Sequence, residues 1–125
     1  MNYLKALNYG STQLKINNIN THSLDSEILL SKILNKTRED ILINLEKNIL
    51  PEELAKYKKL ISRRKSNEPV AYIVQNKEFW KSNFFINKDV LIPRPETELV
   101  IEEIIKLINT NSSKSILDVG TGSGC

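Results

Sequence analysis

Seven residues, Asp118-Val119-Gly120-Thr121-Gly122-Ser123-Gly124, follow the apolar run Ser115-Ile116-Leu117 with the spacing D-x-G-x-G-x-G. Glycines at alternate positions allow positive backbone angles, and the missing β-carbons let a ligand approach the main chain closely. Backbone N–H groups in such a loop favour an anionic group. A carboxylate and a phosphate satisfy that requirement equally.

The spacing separates two cofactor classes. A dinucleotide loop has G-x-G-x-x-G or A, but here the third small position is Cys125, and the third glycine comes one place early. An acidic residue two places before the first glycine, followed by G-x-G-x-G, fits S-adenosylmethionine better. A tight turn that binds nothing is the alternative. Little else in the chain has reactive chemistry. His22, the single histidine, lies in a polar stretch, Cys125 is the single cysteine, and no nucleophile–base pair or metal-ligating cluster stands out.

The loop needs elements to hold it. Ser115 to Val119 reads as an apolar strand leading into the glycines, and Asn109 to Lys114 as a polar turn before it. Upstream, Pro95 opens a helix with Glu96 and Glu98 in its first turn. Val100, Ile101, Ile104, Ile105 and Ile108 supply the face that this helix should bury. Lys77-Glu78-Phe79-Trp80-Lys81 and Phe84-Phe85-Ile86-Asn87, separated by Ser82-Asn83, read as a hairpin with an aromatic face. Val90-Leu91-Ile92 extends it. Such a face suits packing between two domains, with base stacking as the alternative. Val70 to Val74 is apolar but too short to assign to helix or strand.

Residues 2–66 read as about four short helices. Leu4, Ala6, Leu7 and Leu14 form a weak first stripe that Gly10-Ser11 interrupts, and Asn17-Asn18 and Asn20-Thr21 mark a loop. Leu24, Ile28, Leu29 and Ile33, widened by Leu30 and Leu34, have the spacing of a buried helix, with Ser23 as N-cap and Asn35-Lys36 as stop. Thr37-Arg38-Glu39-Asp40 has the form of a capping box ahead of Ile41, Leu42 and Leu45. Pro51 suits a first helical position, and Leu54, Tyr57, Leu60 and Ile61 line one face behind it. The basic run Lys56, Lys58, Lys59, Arg63, Arg64, Lys65 reads as a solvated helix face, with docking to RNA or a ribosome-bound partner as the alternative.

Four segments together are more specific than any alone. Leu91-Ile92-Pro93-Arg94-Pro95-Glu96-Thr97-Glu98 (LIPRPETE) precedes the glycine loop. Glu68-Pro69-Val70-Ala71-Tyr72-Ile73 and Glu78-Phe79-Trp80 precede that, and Leu24-Asp25-Ser26-Glu27-Ile28-Leu29-Leu30 lies further upstream. In this order they resemble the HemK/PrmC family of protein-(glutamine-N5) methyltransferases, which modify class I peptide-chain release factors. One departure is Gln75, where the family usually has a glycine.

The resemblance implies an α+β chain: a helical docking domain (1–66), a β-hairpin linker (67–94), and the start (95–125) of a class I, Rossmann-like α/β methyltransferase domain. It implies S-adenosylmethionine as cofactor, with Gly120, Thr121, Gly122, Ser123 and Gly124 lining its site and Asp118 shaping the loop. Arg94, Pro95 and Thr97 would pack near its methionine end. The implied partner is a release factor, methylated on the glutamine of its Gly-Gly-Gln loop during translation termination. The family holds that glutamine amide with an Asn-Pro-Pro-Tyr motif, an orientation effect. No N-P-P-[YFW] occurs in these 125 residues, so the expectation is a chain with no catalytic residue of its own, inactive alone. The rivals are a non-catalytic module that docks a release factor or ribosome, and part of an adenine-N6 nucleic-acid methyltransferase. A nicotinamide enzyme ranks below both.

Composition sets the outer limits. At 40% hydrophobic and 26% charged the chain is globular rather than disordered. No apolar run reaches the roughly 18–20 residues of a membrane helix, and the N-terminus lacks the apolar core of a secretory signal. One cysteine permits no internal disulfide, which points to a reducing cytoplasm. The net charge of +3 comes from dispersed lysine rather than arginine clusters, so direct nucleic-acid binding is not expected.

Overall fold

Tyr3 to Ile16 forms one uninterrupted helix, α1, despite Gly10-Ser11 at its centre. Asn2 caps it by accepting the Lys5 backbone N–H at 3.0 Å. Glycine in mid-helix costs about 1 kcal/mol relative to alanine, and the tertiary structure supplies the reason for it. A β-carbon built on Gly10 would collide with the Tyr57 hydroxyl and lie 2.7 Å from Ser26 Oγ. The expected interruption is therefore a position where α1 packs directly against the Tyr57 and Ser26 side chains.

The computed structural model describes residues 1–108, 113 and 115–125. These form two compact units, Met1–Val74 and Gln75–Cys125, in an α+β arrangement of helices and one small antiparallel sheet. The polar turn expected over Asn109 to Lys114 lies outside the described residues, apart from Ser113.

In the first unit α1 is followed by α2 (His22–Leu34), α3 (Arg38–Ile43), α4 (Pro51–Lys65) and α5 (Val70–Val74). The boundaries follow local chemistry. Asn35 ends α2 in the left-handed region at φ 50°, which asparagine tolerates better than most residues. Thr37 Oγ1 accepts the Asp40 N–H at 3.1 Å, and Glu53 accepts the Leu50 N–H at 3.0 Å ahead of Pro51. Ser23 is not the N-cap of α2. That place falls to Thr21, whose hydroxyl donates to Asp25 Oδ2 at 2.8 Å. His22 is the first residue of α2 rather than a loop residue, and its Nδ1 lies 2.8 Å from Ser11 Oγ.

The core of this unit contains Ala6, Leu14, Leu29, Leu30, Ile41, Tyr57, Ile61 and Ile73. Leu24, expected on the buried face of α2, is exposed, whereas Asp25 and Ser26 are buried. Both buried polar residues have partners. Asp25 Oδ2 also accepts from Arg64 Nε at 2.7 Å. Ser26 Oγ donates to the Leu7 carbonyl at 2.9 Å and lies 2.7 Å from Tyr57 Oη. Much of the basic run on α4 is similarly engaged: Arg63 forks onto Glu68, Lys65 reaches Gln13, and Lys58 lies over the Tyr9 ring.

Burial raises the Tyr57 phenol from 10.0 to about 12, with the Ser26 hydrogen bond acting in the opposite direction. The phenol therefore ionises more readily in the unfolded chain. Its contribution to stability is complete below pH 10 and is lost as pH rises through about 12. At about 1.4 kcal/mol per pKa unit the loss approaches roughly 2–3 kcal/mol. Urea midpoints measured from pH 8 to 12 should fall more steeply for the wild type than for Tyr57→Phe. Parallel curves would refute the assignment.

The second unit begins with β1 (Lys77–Phe79) and β2 (Ser82–Phe84), paired antiparallel with Lys77 opposite Phe84 and Phe79 opposite Ser82. The turn is Trp80-Lys81, not Ser82-Asn83. Both turn residues have positive φ, 44° and 62°, as in the two-residue turn whose twist matches the strands. The rings of Phe79 and Phe84 meet edge-on at 6.3 Å. Val90 to Ile92 does not extend the hairpin, because an Asn87–Asp89 turn intervenes, with the Asp89 N–H donating to Asn87 Oδ1 at 3.0 Å. Gln75 adopts φ 56°, a conformation that favours glycine, so the turn forms without the expected glycine.

Pro95–Thr97 makes one 3₁₀ turn and runs into α6 (Glu98–Ile108). The helix is where Pro95 predicted it, but none of its residues is buried, including Val100, Ile101, Ile104, Ile105 and Ile108. Ser115 to Val119 is not a strand, and Ile116, Leu117 and Val119 are exposed. The physical reason is common to both: an apolar strand of a parallel sheet needs neighbours, and the hairpin is the only sheet among the described residues. No helix among the described residues is long and apolar enough to cross a membrane.

Candidate functional site

The glycine loop closes on itself through a hydrogen bond from the Gly124 N–H to the Thr121 carbonyl at 2.9 Å. Gly120, Gly122 and Gly124 all have positive φ, at 78°, 58° and 83°. The space around Gly120 and Gly124 is open, with no atom near enough to meet an added β-carbon. Backbone angle rather than crowding is thus what requires glycine there.

The loop forms one side of a cavity of about 240 Å³, and the LIPRPETE segment forms the other. Asp118, Gly120, Thr121, Gly122, Ser123 and Cys125 line the first side, and Leu91, Ile92, Pro93, Arg94 and Thr97 the second. Two stretches that the sequence separates by about twenty residues therefore face each other. Of the expected site residues, Pro95 and Gly124 do not line the cavity, although each belongs to a turn that shapes a wall. Cys125 was not expected there. As a free thiol following the last glycine it had no pattern to mark it, beyond occupying the third small position of the dinucleotide spacing.

The lining combines an apolar shelf, a guanidinium and a carboxylate, with Arg94 and Asp118 as its two charged groups. Ser123 Oγ is buried and has no hydrogen-bond partner among the described residues. A buried hydroxyl without a partner is costly, and at the wall of a cavity it is a ready contact for a polar ligand. Enclosed ligand sites run from about 300 to 1,000 Å³, so a cavity of about 240 Å³ has room for part of such a ligand rather than the whole. Among the described residues there is no group of three or more metal-ligating side chains.

Comparison with known proteins agrees with the motifs. Residues 5–74 match the PrmC N-terminal domain. A release factor glutamine methyltransferase of Buchnera aphidicola is 43% identical over 110 residues, an alignment covering 88% of this chain and 40% of that protein. One from Leptospira interrogans is 42% identical over 113 residues, covering 90% of this chain and 40% of the relative. A bifunctional methyltransferase of Rickettsia prowazekii is 38% identical over 125 residues, 86% of this chain and 24% of the relative. The chain thus spans about 40% of the length of the two release factor glutamine methyltransferases. With more than half its residues matched by that domain and the motifs in order, the chain belongs to the PrmC family.

Proposed function

We propose that this chain is the release-factor-binding and cofactor-loop portion of an S-adenosylmethionine-dependent methyltransferase. Its acceptor is N5 of the glutamine in the Gly-Gly-Gln loop of class I peptide-chain release factors, and it works in the cytoplasm. The observation that carries this reading is the cavity between Arg94 and Thr97 on one side and Asp118 to Ser123 on the other, in a chain of this family. Residues 1–66 serve as the docking domain, 67–94 as the hairpin linker, and 95–125 as the beginning of a Rossmann-like domain.

The cofactor supplies an electrophilic methyl group on a sulfonium. Its methionine end has both an ammonium and a carboxylate, and the cavity offers a complementary pair of charges. Arg94 would hold the carboxylate, and the loop's backbone N–H groups and Ser123 Oγ would supply further polar contacts. Asp118 shapes the loop, with Gly124 setting its turn and Pro95 aiming the opposite wall. In this reading all of these groups are committed to the cofactor, and the glutamine amide is held by others. The 125 residues contain no Asn-Pro-Pro-aromatic run to accept its hydrogens.

The test is direct. Purified 125-residue chain, incubated with a release factor and methyl-labelled S-adenosylmethionine, should transfer no label while binding the cofactor weakly by calorimetry. Label on the release-factor glutamine would overturn the assignment of the catalytic step to residues outside this stretch. A second reading, a docking module that handles no cofactor, draws support from the closed core of Met1–Val74. Capture of a release factor with no cofactor binding would select it. Strong salt-dependent binding of DNA or RNA would instead select a nucleic-acid methyltransferase.

A further inference from the structure

Glu98, the last residue of LIPRPETE, faces the hairpin rather than the cavity. Its Oε1 accepts the backbone N–H of Trp80 at 3.0 Å. The bond is part-buried and has an ionised acceptor, which makes it stronger than a neutral one. Trp80 is also the first of the two turn residues that adopt positive φ without being glycine. A hydrogen bond anchored at that N–H fixes the one place where the hairpin's backbone is least favoured by its residue types.

The position of this bond gives it a role. Between Phe84 and Pro95 the chain is irregular, and its backbone hydrogen bonds include the Ile86 N–H to the Gln75 carbonyl at the hairpin's base and the Val90 N–H to the Asn87 carbonyl, both at 3.4 Å, with the Thr97 N–H donating to the Arg94 carbonyl at 3.1 Å at its far end. Leu91 to Arg94, one wall of the cavity, runs between the hairpin and the 3₁₀ turn, to which the Arg94 carbonyl is tied. The Glu98–Trp80 bond closes this segment into a ring, joining the hairpin's turn to the residue next to Thr97.

We propose that Glu98 is a positioning residue. By clamping the hairpin turn to the first turn of α6, it holds Arg94 and Thr97 at the cavity wall opposite the glycine loop. The cofactor arm of the test rests on the function proposed above; the clamp itself does not.

Glu98 also lies in the first turn of α6, where a carboxylate favours the helix dipole. Glutamine separates the two, since Glu98→Gln keeps the acceptor oxygen and removes the charge, and Glu98→Ala removes both. In the 125-residue chain, amide exchange at Trp80 should accelerate about tenfold or more in Glu98→Ala, the scale of losing a hydrogen bond to a charged acceptor. It should stay within about threefold of wild type in Glu98→Gln. The amide resonances of Arg94 and Gly120 should move in Glu98→Ala and hold in Glu98→Gln, and S-adenosylmethionine affinity should follow the same order.

Equal effects of the two variants would overturn the clamp in favour of a helix-charge role. A Trp80 amide that responds while Arg94 and Gly120 do not would overturn the positioning of the wall. If wild type binds no cofactor, the proposed function fails, and the amide measurements still decide the clamp.

Discussion

Arg64→Met is expected to destabilise the helical unit by about 3 kcal/mol or more, the range for removing one partner of a buried ion pair. Asp25 and Arg64 keep only 6% and 17% of their side-chain surface exposed. Removing the guanidinium strands a carboxylate whose remaining side-chain partner is the Thr21 hydroxyl. Arg64 Nη1 also donates to the Glu68 carbonyl at 3.2 Å, so the same substitution loosens the chain between α4 and α5. Native stability amounts to roughly 0.05–0.15 kcal/mol per residue, so a unit of this size loses a large part of its total. Urea unfolding followed by circular dichroism should show the midpoint fall sharply. Asp25→Asn on top of Arg64→Met should recover much of the loss, because no charge is then buried alone. Additive losses would mean that the pair is not the unit of stability.

The contact of Gly10, Ser26 and Tyr57 should be as sensitive. Tyr57→Ala empties the largest fully buried side chain of the core, at about 3–5 kcal/mol by analogy with other buried aromatics. Gly10→Ala acts from the other side of the contact. Helix propensity favours alanine by about 1 kcal/mol, but overpacking against a rigid ring costs about 1–3 kcal/mol, and the net effect should be a loss. The two positions should couple. In a Tyr57→Phe background Gly10→Ala should cost less, since the colliding hydroxyl is gone, though not nothing, because the ring carbon beside it remains 2.9 Å from the added methyl. An equal cost of Gly10→Ala in both backgrounds would place the constraint elsewhere.

These two sites were the least legible parts of the first unit, for a common reason. Gly10 reads locally as an interruption of a helical stripe, and nothing local marks Asp25 and Ser26 for burial on a leucine-rich helix. Their burial depends on α4, which lies about thirty residues away or more. The hairpin shows the same limit on a smaller scale. Aromatic alternation marked it, but Ser82-Asn83 is better turn chemistry than Trp80-Lys81, and the register of the pairing decided against it. Glu98 belonged to a visible motif, yet only its contact with Trp80 reveals a use for it.

What the sequence determined by itself was whatever chemistry lies within a few residues. The helix starts at Thr37 and Pro51, the stop at Asn35, the glycines at positive φ, and a motif order specific enough to point to the family were all readable. Tertiary structure decided what depends on distant neighbours: that Gly10 admits a tyrosine, that Arg64 neutralises a buried aspartate, and that Arg94 and Thr97 stand across a cavity from Ser123. It also decided against two expectations, the buried face of α6 and the strand at Ser115 to Val119. Apolar periodicity states which face can be buried. Burial itself requires a packing surface, and a strand requires a partner for its backbone N–H and C=O groups.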